Sequence, residues 1–207
     1  MTDTPAIEVV LWDADGVLQR SAPGFLDAVR GLCGEPSRVD EFVQEVFAAE
    51  KPALAGEGSF PEALQQVLVR WGSEVSLKDA LAIWTMIEPD AAAFDRVRRL
   101  RATGTSVGLA TNQQTHRAAI MLDGLGYARE FDHVFCSCHL GRVKPSRDYF
   151  RAALNVLAVP AGQVLFIDDH QRNVSAARAE GLQAARFHLD EGMAALDALL
   201  AGYGLAP

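Results

Sequence analysis

Four short segments carry the residues that could do chemistry. They are Asp13-Ala14-Asp15-Gly16-Val17, Thr111-Asn112, Lys144-Pro145 and Asp168-Asp169. Taken singly, each has an ordinary reading. Acids and glycine after a strand make turns, Thr-Asn before a helix makes a cap, and a lone Lys-Pro carries little information. The adjacent pair Asp168-Asp169 is less ordinary, because like charges at a buried strand end repel one another and raise each other's pKa. Together the four segments would supply three or four carboxylates, one hydroxyl and one ammonium. Carboxylates brought that close must bind a cation, share protons or destabilise the fold.

The surrounding chain provides elements that would bring the segments together. Continuous apolar runs at 7–12, 105–110, 133–136, 163–167 and 184–187 read as strands covered on both faces. Helix-period segments lie between the later ones, at about 92–103, 114–124, 146–158 and 172–181. Strand–helix alternation predicts an α/β fold, a three-layer Rossmann-like core built on a parallel sheet. Each of the four segments then falls at the C-terminal end of a strand, the edge where open parallel sheets bind ligands. Pro145 is expected near the first helical position of its helix. Gly124 and Gly181 are placed to stop helices.

Residues 21–90 differ from this pattern and contain no convincing strand. Val39, Phe42, Val43, Val46 and Phe47 keep helical spacing, as do Leu64, Val67, Leu68 and Trp71. Ser59 and Glu62 have capping-box spacing with Pro61 just inside the start, and ALAGEGS (53–59) reads as the loop between the two helices. The expected division is therefore a core of 1–20 and 91–207 with an all-helical cap, 21–90, inserted after the first strand.

Composition narrows the function. With 19 basic and 27 acidic residues the net charge is −8. That argues against a basic face of the kind non-specific nucleic-acid binding requires. An anionic ligand must instead be met by a few placed cations, and lysine occurs only at 51, 78 and 144. Three cysteines without framework spacing argue against a secreted disulfide scaffold. The N-terminus lacks a basic leader region, and no apolar run approaches the ~20 residues of a membrane span. The expectation is a cytoplasmic protein, monomer or homodimer, with no nucleic-acid or membrane partner.

The ordered set DADGV, Thr-Asn, Lys-Pro and DDxxxN resembles the haloacid dehalogenase-like hydrolase superfamily, in its phosphatase branch with a helical cap. The resemblance covers essentially the whole chain and is close over LFIDDHQRNVSAARAEGLQA (165–184). Ser146-Arg147 departs from the usual Asp-Pro after Lys-Pro, and serine can still cap that helix. The resemblance implies Asp13 as nucleophile, forming an aspartyl-phosphate, and Asp15 as proton donor to the leaving group and then base for water. It implies Mg²⁺ held by Asp13, the carbonyl of Asp15 and Asp169, with Asp168 beside the metal, orienting a water or Lys144 rather than ligating directly. Thr111 and the N–H of Asn112 would bind phosphate oxygens, and Lys144 would neutralise developing charge. Single preorganised groups of this kind are worth ~10²–10³ in rate.

The implied reaction is Mg²⁺-dependent hydrolysis of small phosphorylated metabolites, sugar or organic-acid phosphates. A sugar phosphomutase of the same fold is the alternative. Haloacid dehalogenases typically lack an acid at position 15, and phosphonate hydrolases lack it and use a cap lysine, for which only Lys51 is available. An inactive binding scaffold would have lost a motif residue. Receiver domains place the acidic pair first and have no insert. Asn173 is expected to support the metal loop or to be a polar helix-face residue. His170, Arg20 and Lys51 read as solvated, His116, His133, His139 and His188 show no ligand spacing, and Cys136 and Cys138 read as packing. Trp12, Trp71 and Trp84 read as core.

Overall fold

The computed structural model describes residues 6–206. The reading of the N-terminus as leaderless rests partly on residues 1–5, outside that range. The chain runs β1 (Val9–Trp12), β2 (Gln19–Ser21), α1 (Phe25–Arg30), α2 (Val39–Leu54), α3 (Phe60–Arg70), α4 (Leu77–Ala82) and β3 (Ile87–Pro89). It continues with α5 (Ala91–Ala102), β4 (Ser106–Thr111), α6 (Thr115–Ala119), α7 (Tyr127–Glu130), β5 (His133–Cys136), α8 (Ser137–Leu140) and α9 (Arg147–Leu157). Then come β6 (Val164–Asp168), α10 (Gln171–Ala179), β7 (Gln183–Arg186) and α11 (Met193–Gly202).

Five strands form one parallel sheet in the order β5-β4-β1-β6-β7. The three-layer Rossmann-like α/β fold follows from the period of two along these strands. Val10, Trp12, Leu109 and Ile167 face a layer that includes Phe94 and Val97 of α5 and Leu196 and Leu200 of α11. Val9, Leu11 and Phe166 face Phe150 and Ala153 of α9 and Val174 and Ala177 of α10. Both faces are apolar because both are covered, which is why the strands show no polar alternation. α6 passes directly into a π-helical turn, Ile120–Gly124, next to the site, a place where such turns recur.

Between β2 and β3 the chain builds α1–α4 around a hydrophobic cluster of their own. Phe42, Val46, Phe60, Leu64, Leu68 and Trp84 are fully or almost fully buried there. Trp84 packs against Phe60 with ring centroids 4.7 Å apart, and Ser59 caps α3 by accepting from the Glu62 N–H. One detail departs from the sequence reading: β3 is a strand inside the segment read as strand-free. It pairs antiparallel with β2, so the chain leaves and re-enters the core through a two-stranded ribbon. Three-residue strands paired only with each other are too short to show a period. Pro145 precedes the helix cap rather than opening the helix. Ser146 is the N-cap of α9, accepting from the Asp148 N–H at 3.3 Å.

No helix among the described residues is long and apolar enough to cross a membrane.

Candidate functional site

The C-terminal edge of the sheet gathers the four segments. β1 delivers Asp13, whose N–H is held by the carbonyl of Ile167 on β6 at 2.9 Å. β4 ends in Thr111, β6 in Asp168, and the loop before α9 brings in Lys144. Asp13, Asp15, Thr111, Asn112, Lys144 and Asn173 line one cleft of about 200 Å³, with His170 and Arg172 at its edge.

Lys144 is the electrostatic centre of this edge. Its side chain is 1% exposed, and its ammonium donates to Asp13 Oδ1 at 2.8 Å, Asp168 Oδ2 at 2.7 Å and the Ala110 carbonyl at 2.8 Å. That uses all three of its donors. Burial alone would lower its pKa, but the two carboxylates outweigh burial and raise it above the ordinary lysine value. Asn112 fixes the lysine's backbone, donating from Nδ2 to the Lys144 carbonyl and accepting the Lys144 N–H on Oδ1, both at 2.9 Å. The side chain of Asn112 thus has a structural task that the sequence reading did not assign.

Asp13 and Asp168 compete for this one lysine, and their surroundings separate them. Asp168 also accepts from the His170 N–H at 2.8 Å and from Asn173 Nδ2 at 3.0 Å. Burial opposes its ionised form, but Lys144 and these donors outweigh it and hold the carboxyl below its ordinary value. Asp13 has only Lys144 and the Ala14 N–H. Burial, opposed by Lys144 and aided by the charges of Asp168 and Asp15, pushes its carboxyl well above the ordinary value. Both oxygens of Asp168 are therefore engaged in holding Lys144 and the start of α10, not pointing to solvent.

Asp169 comes to the site through Gly16. At Gly16 φ is +81°, and a Cβ there would lie 2.8 Å from Asp169 Oδ2. Only glycine permits both the left-handed turn and this approach. The turn of the first motif thus rests directly on the Asp169 carboxylate, whose other oxygen contacts His170 Nδ1 at 2.5 Å. Asp15 projects from the same turn and is met by three donors, Gln19 Nε2 at 2.9 Å, Gln113 Nε2 at 2.7 Å and Arg117 Nη2 at 2.8 Å. These three residues were not singled out from sequence. Their only signal was spacing: Gln19 is four after Asp15, and Gln113 and Arg117 are four apart where a helix begins.

Thr111 is buried with its Oγ1 3.3 Å from Gln113 Nε2. Asn173 is buried against Asp168. His170 stays largely solvated although it touches Asp169. Arg20 pairs with Asp90 and Asp190, tying the ribbon to the core and not to the cleft. Lys51 is exposed on the cap. His188 caps the turn 189–191, His116 lies 3.4 Å from the Leu81 carbonyl, and His133 stacks on Phe135.

Cys136 and Cys138 are buried, and burial pushes the Cys136 thiol up to about 12. A thiol so placed presents almost no thiolate to reagents. In the native protein at neutral pH, iodoacetamide is expected to label Cys33 and to reach Cys136 and Cys138 only after unfolding. Peptide mapping checks this, and rapid native labelling of Cys136 would contradict the packing role.

Fold and site define a parallel-sheet hydrolase with a carboxylate and lysine centre at the strand ends and a helical insert beside it. The chain belongs to the haloacid dehalogenase-like hydrolase family, whose profile matches residues 7–181. It is 29% identical to a phosphoglycolate phosphatase of Rhodospirillum rubrum over 84% of this chain and 77% of that protein. It is 25% identical to an N-acetylmuramic acid 6-phosphate phosphatase of Pseudomonas aeruginosa over 86% and 80%. Among solved structures, a haloacid dehalogenase family enzyme of Bacteroides thetaiotaomicron in complex with magnesium and inorganic phosphate superposes with a TM-score of 0.77 at 20% identity, covering 92% of this chain and 99% of that one. An L-2-haloacid dehalogenase of Xanthobacter autotrophicus superposes at 0.63 with 21% identity, over 97% and 85%.

Proposed function

We propose that the protein is a Mg²⁺-dependent phosphatase of small phosphate monoesters, sugar or organic-acid phosphates, acting through an aspartyl-phosphate on Asp13. The observation that carries this reading is the pairing of a buried, lysine-neutralised Asp13 with a second acid, Asp15, two residues on and held by three donors. A dehalogenating member of the fold has no use for that second acid. The phosphatases among the relatives support the same reaction class.

The residues fit a divalent cation. Asp13, Asp168 and Asp169 outnumber the one buried lysine, and Asn173 Oδ1 is a buried acceptor with no partner among the described residues, suited to a bound water. A small hard cation prefers oxygen ligands and keeps several waters. Asp13, the Asp15 carbonyl and Asp169 would hold it, while Asp168 positions Lys144. When bound, the ion offsets the repulsion between an anionic nucleophile and an anionic phosphate. An Asp13 oxygen attacks phosphorus, and the P–O bond to the leaving alkoxide breaks. Asp15 gives that oxygen a proton and takes one back from the water that cleaves the acyl phosphate. Thr111 and the Asn112 N–H bind the phosphate oxygens, and Lys144 faces the charge that builds on them. Residues 21–90 form the cap that excludes bulky esters and chooses the leaving group.

Purified protein is expected to release phosphate from 4-nitrophenyl phosphate with Mg²⁺ and to stop in EDTA. Mg²⁺ binding only the folded chain should also raise Tm, by about 2.7 kcal/mol of stabilisation at a hundredfold excess over Kd. D169N should lose that shift. Turnover unchanged by EDTA, or an equal shift in D169N, would count against the metal assignment.

A further inference from the structure

We propose that Arg117 is a positioning residue for Asp15 and that the cap controls it through Glu50, so that one guanidinium registers the cap over the acid–base group. This rests on the reading of Asp15 as proton donor. The Asp15 side chain is 44% exposed on a tight turn, so apolar packing does little to fix its rotamer. Both oxygens are fixed instead by donors from three directions. Gln19 is fully buried, and its amide is oriented by the Tyr127 hydroxyl, which donates to Oε1 at 2.8 Å and turns Nε2 toward Asp15. Gln113 holds Oδ2, and Arg117 shares Oδ1 with Gln19.

Gln19 and Gln113 belong wholly to the core. Arg117 does not, because α6 lies under the cap. α3 packs on α6, and His116 on the same helix meets the carbonyl of Leu81 from α4. The Arg117 side chain is 11% exposed, and its Nε is a buried donor with no partner among the described residues. The cap presents one partly buried acid to this region, Glu50 of α2, with Oε1 held by Trp84 Nε1 at 3.1 Å. Burial raises the Glu50 carboxyl above its ordinary value, while the Trp84 N–H, the Arg117 charge and the Gln114 side chain pull the other way and the Asp15 charge adds to the rise. Arg117 thus lies in the field of two carboxylates on opposite sides of the interface, Asp15 on the core and Glu50 on the cap.

The test compares aryl phosphates of graded leaving-group acidity, 4-nitrophenyl and phenyl phosphate, in excess Mg²⁺. Phenolate needs protonation far more than nitrophenolate, so a displaced Asp15 shows as a ratio between the two esters. R117M should lower kcat on phenyl phosphate about 10–100-fold and far less on 4-nitrophenyl phosphate. E50Q, whose amide can still accept from Trp84, should shift the ratio in the same direction by about 2–30-fold. The double variant should behave as R117M alone, because Glu50 acts only through Arg117. The double variant removes both charges and leaves neither buried alone, so its ester ratio still reports if R117M does not fold. Equal losses on both esters in folded variants, or additive effects in the double variant, overturn the proposal while leaving the phosphatase reading intact. Wild-type protein that releases phosphate from neither ester overturns that reading and this one with it.

Discussion

Asp13→Asn is expected to abolish turnover, with kcat falling on the order of 10⁴–10⁶, the scale on which removal of a covalent nucleophile acts. The amide cannot form an acyl phosphate, and it would remove one oxygen ligand from the proposed cation. The fold should survive, because Lys144 keeps Asp168 and the Ala110 carbonyl as partners. Asp15→Asn gives the informative contrast. It keeps the proposed nucleophile and the backbone carbonyl but would remove the proposed proton shuttle, a loss of about 10²–10⁴-fold. With a nitrophenyl ester the first step needs little protonation, so the phosphoryl enzyme forms and then waits for a base to activate water. Single-turnover mixing followed by intact-protein mass spectrometry should show a phosphoryl adduct on Asp13 in Asp15→Asn and none in Asp13→Asn. Near-normal turnover of Asp13→Asn, or an adduct on Asp168 or Asp169, would refute the assignment of roles.

The second large effect is on stability. Lys144→Met removes the ammonium that bridges two buried carboxylates. Breaking a buried pair from one side costs about 3–5 kcal/mol, since the remaining charge has no partner. In a chain of this length that corresponds to a fall in Tm of roughly 6–20 °C. The pH dependence separates this cause from simple loss of packing. In the wild type the folded Asp168 carboxyl is held below its ordinary value. Its contribution to stability is therefore present above the ordinary carboxylate range and is lost as pH falls through the folded value. Without Lys144, burial dominates and both carboxyls rise. A raised folded pKa gives a contribution that is full below the unfolded value and lost as pH rises through the folded one. The deficit of the variant should then be greatest at neutral pH and should shrink on acidification. Melting in EDTA at about pH 5 and about pH 7.5 measures it. An equal deficit at both pH values would show that the lost alkyl packing, and not the stranded charges, sets the cost.

The chemistry-bearing segments were legible because each follows an apolar run that can only be a doubly covered strand. Once Val9–Trp12, Ser106–Thr111 and Val164–Asp168 are strands of one parallel sheet, Asp13, Thr111 and Asp168 must share its C-terminal edge. The helices of the insert were legible for a similar reason. Val39, Phe42, Val46 and Leu64, Leu68 keep a helical period, and their cluster is independent of the sheet. Shorter elements such as β2, β3, α7 and α8 escaped notice because three or four residues cannot display a period. The C-terminal helix α11 also went unread, its run of Ala and Leu being apolar on too many sides to mark a face.

What the sequence determined by itself was the class of fold and the sheet edge that gathers Asp13, Thr111, Lys144 and the pair Asp168-Asp169, since these follow from strand period and local turn chemistry. What only the tertiary structure decided was how the charges are partnered. Asp168 and Asp169 are adjacent in the chain, yet one is saturated by Lys144, the His170 N–H and Asn173 while the other rests against Gly16. Gln19, Gln113 and Arg117 converge on Asp15 from segments up to 102 residues away. Sequence period records which face a residue occupies on its own element, whereas the partner of a buried charge depends on which other elements are packed against that face, and that is fixed only when the chain closes on itself.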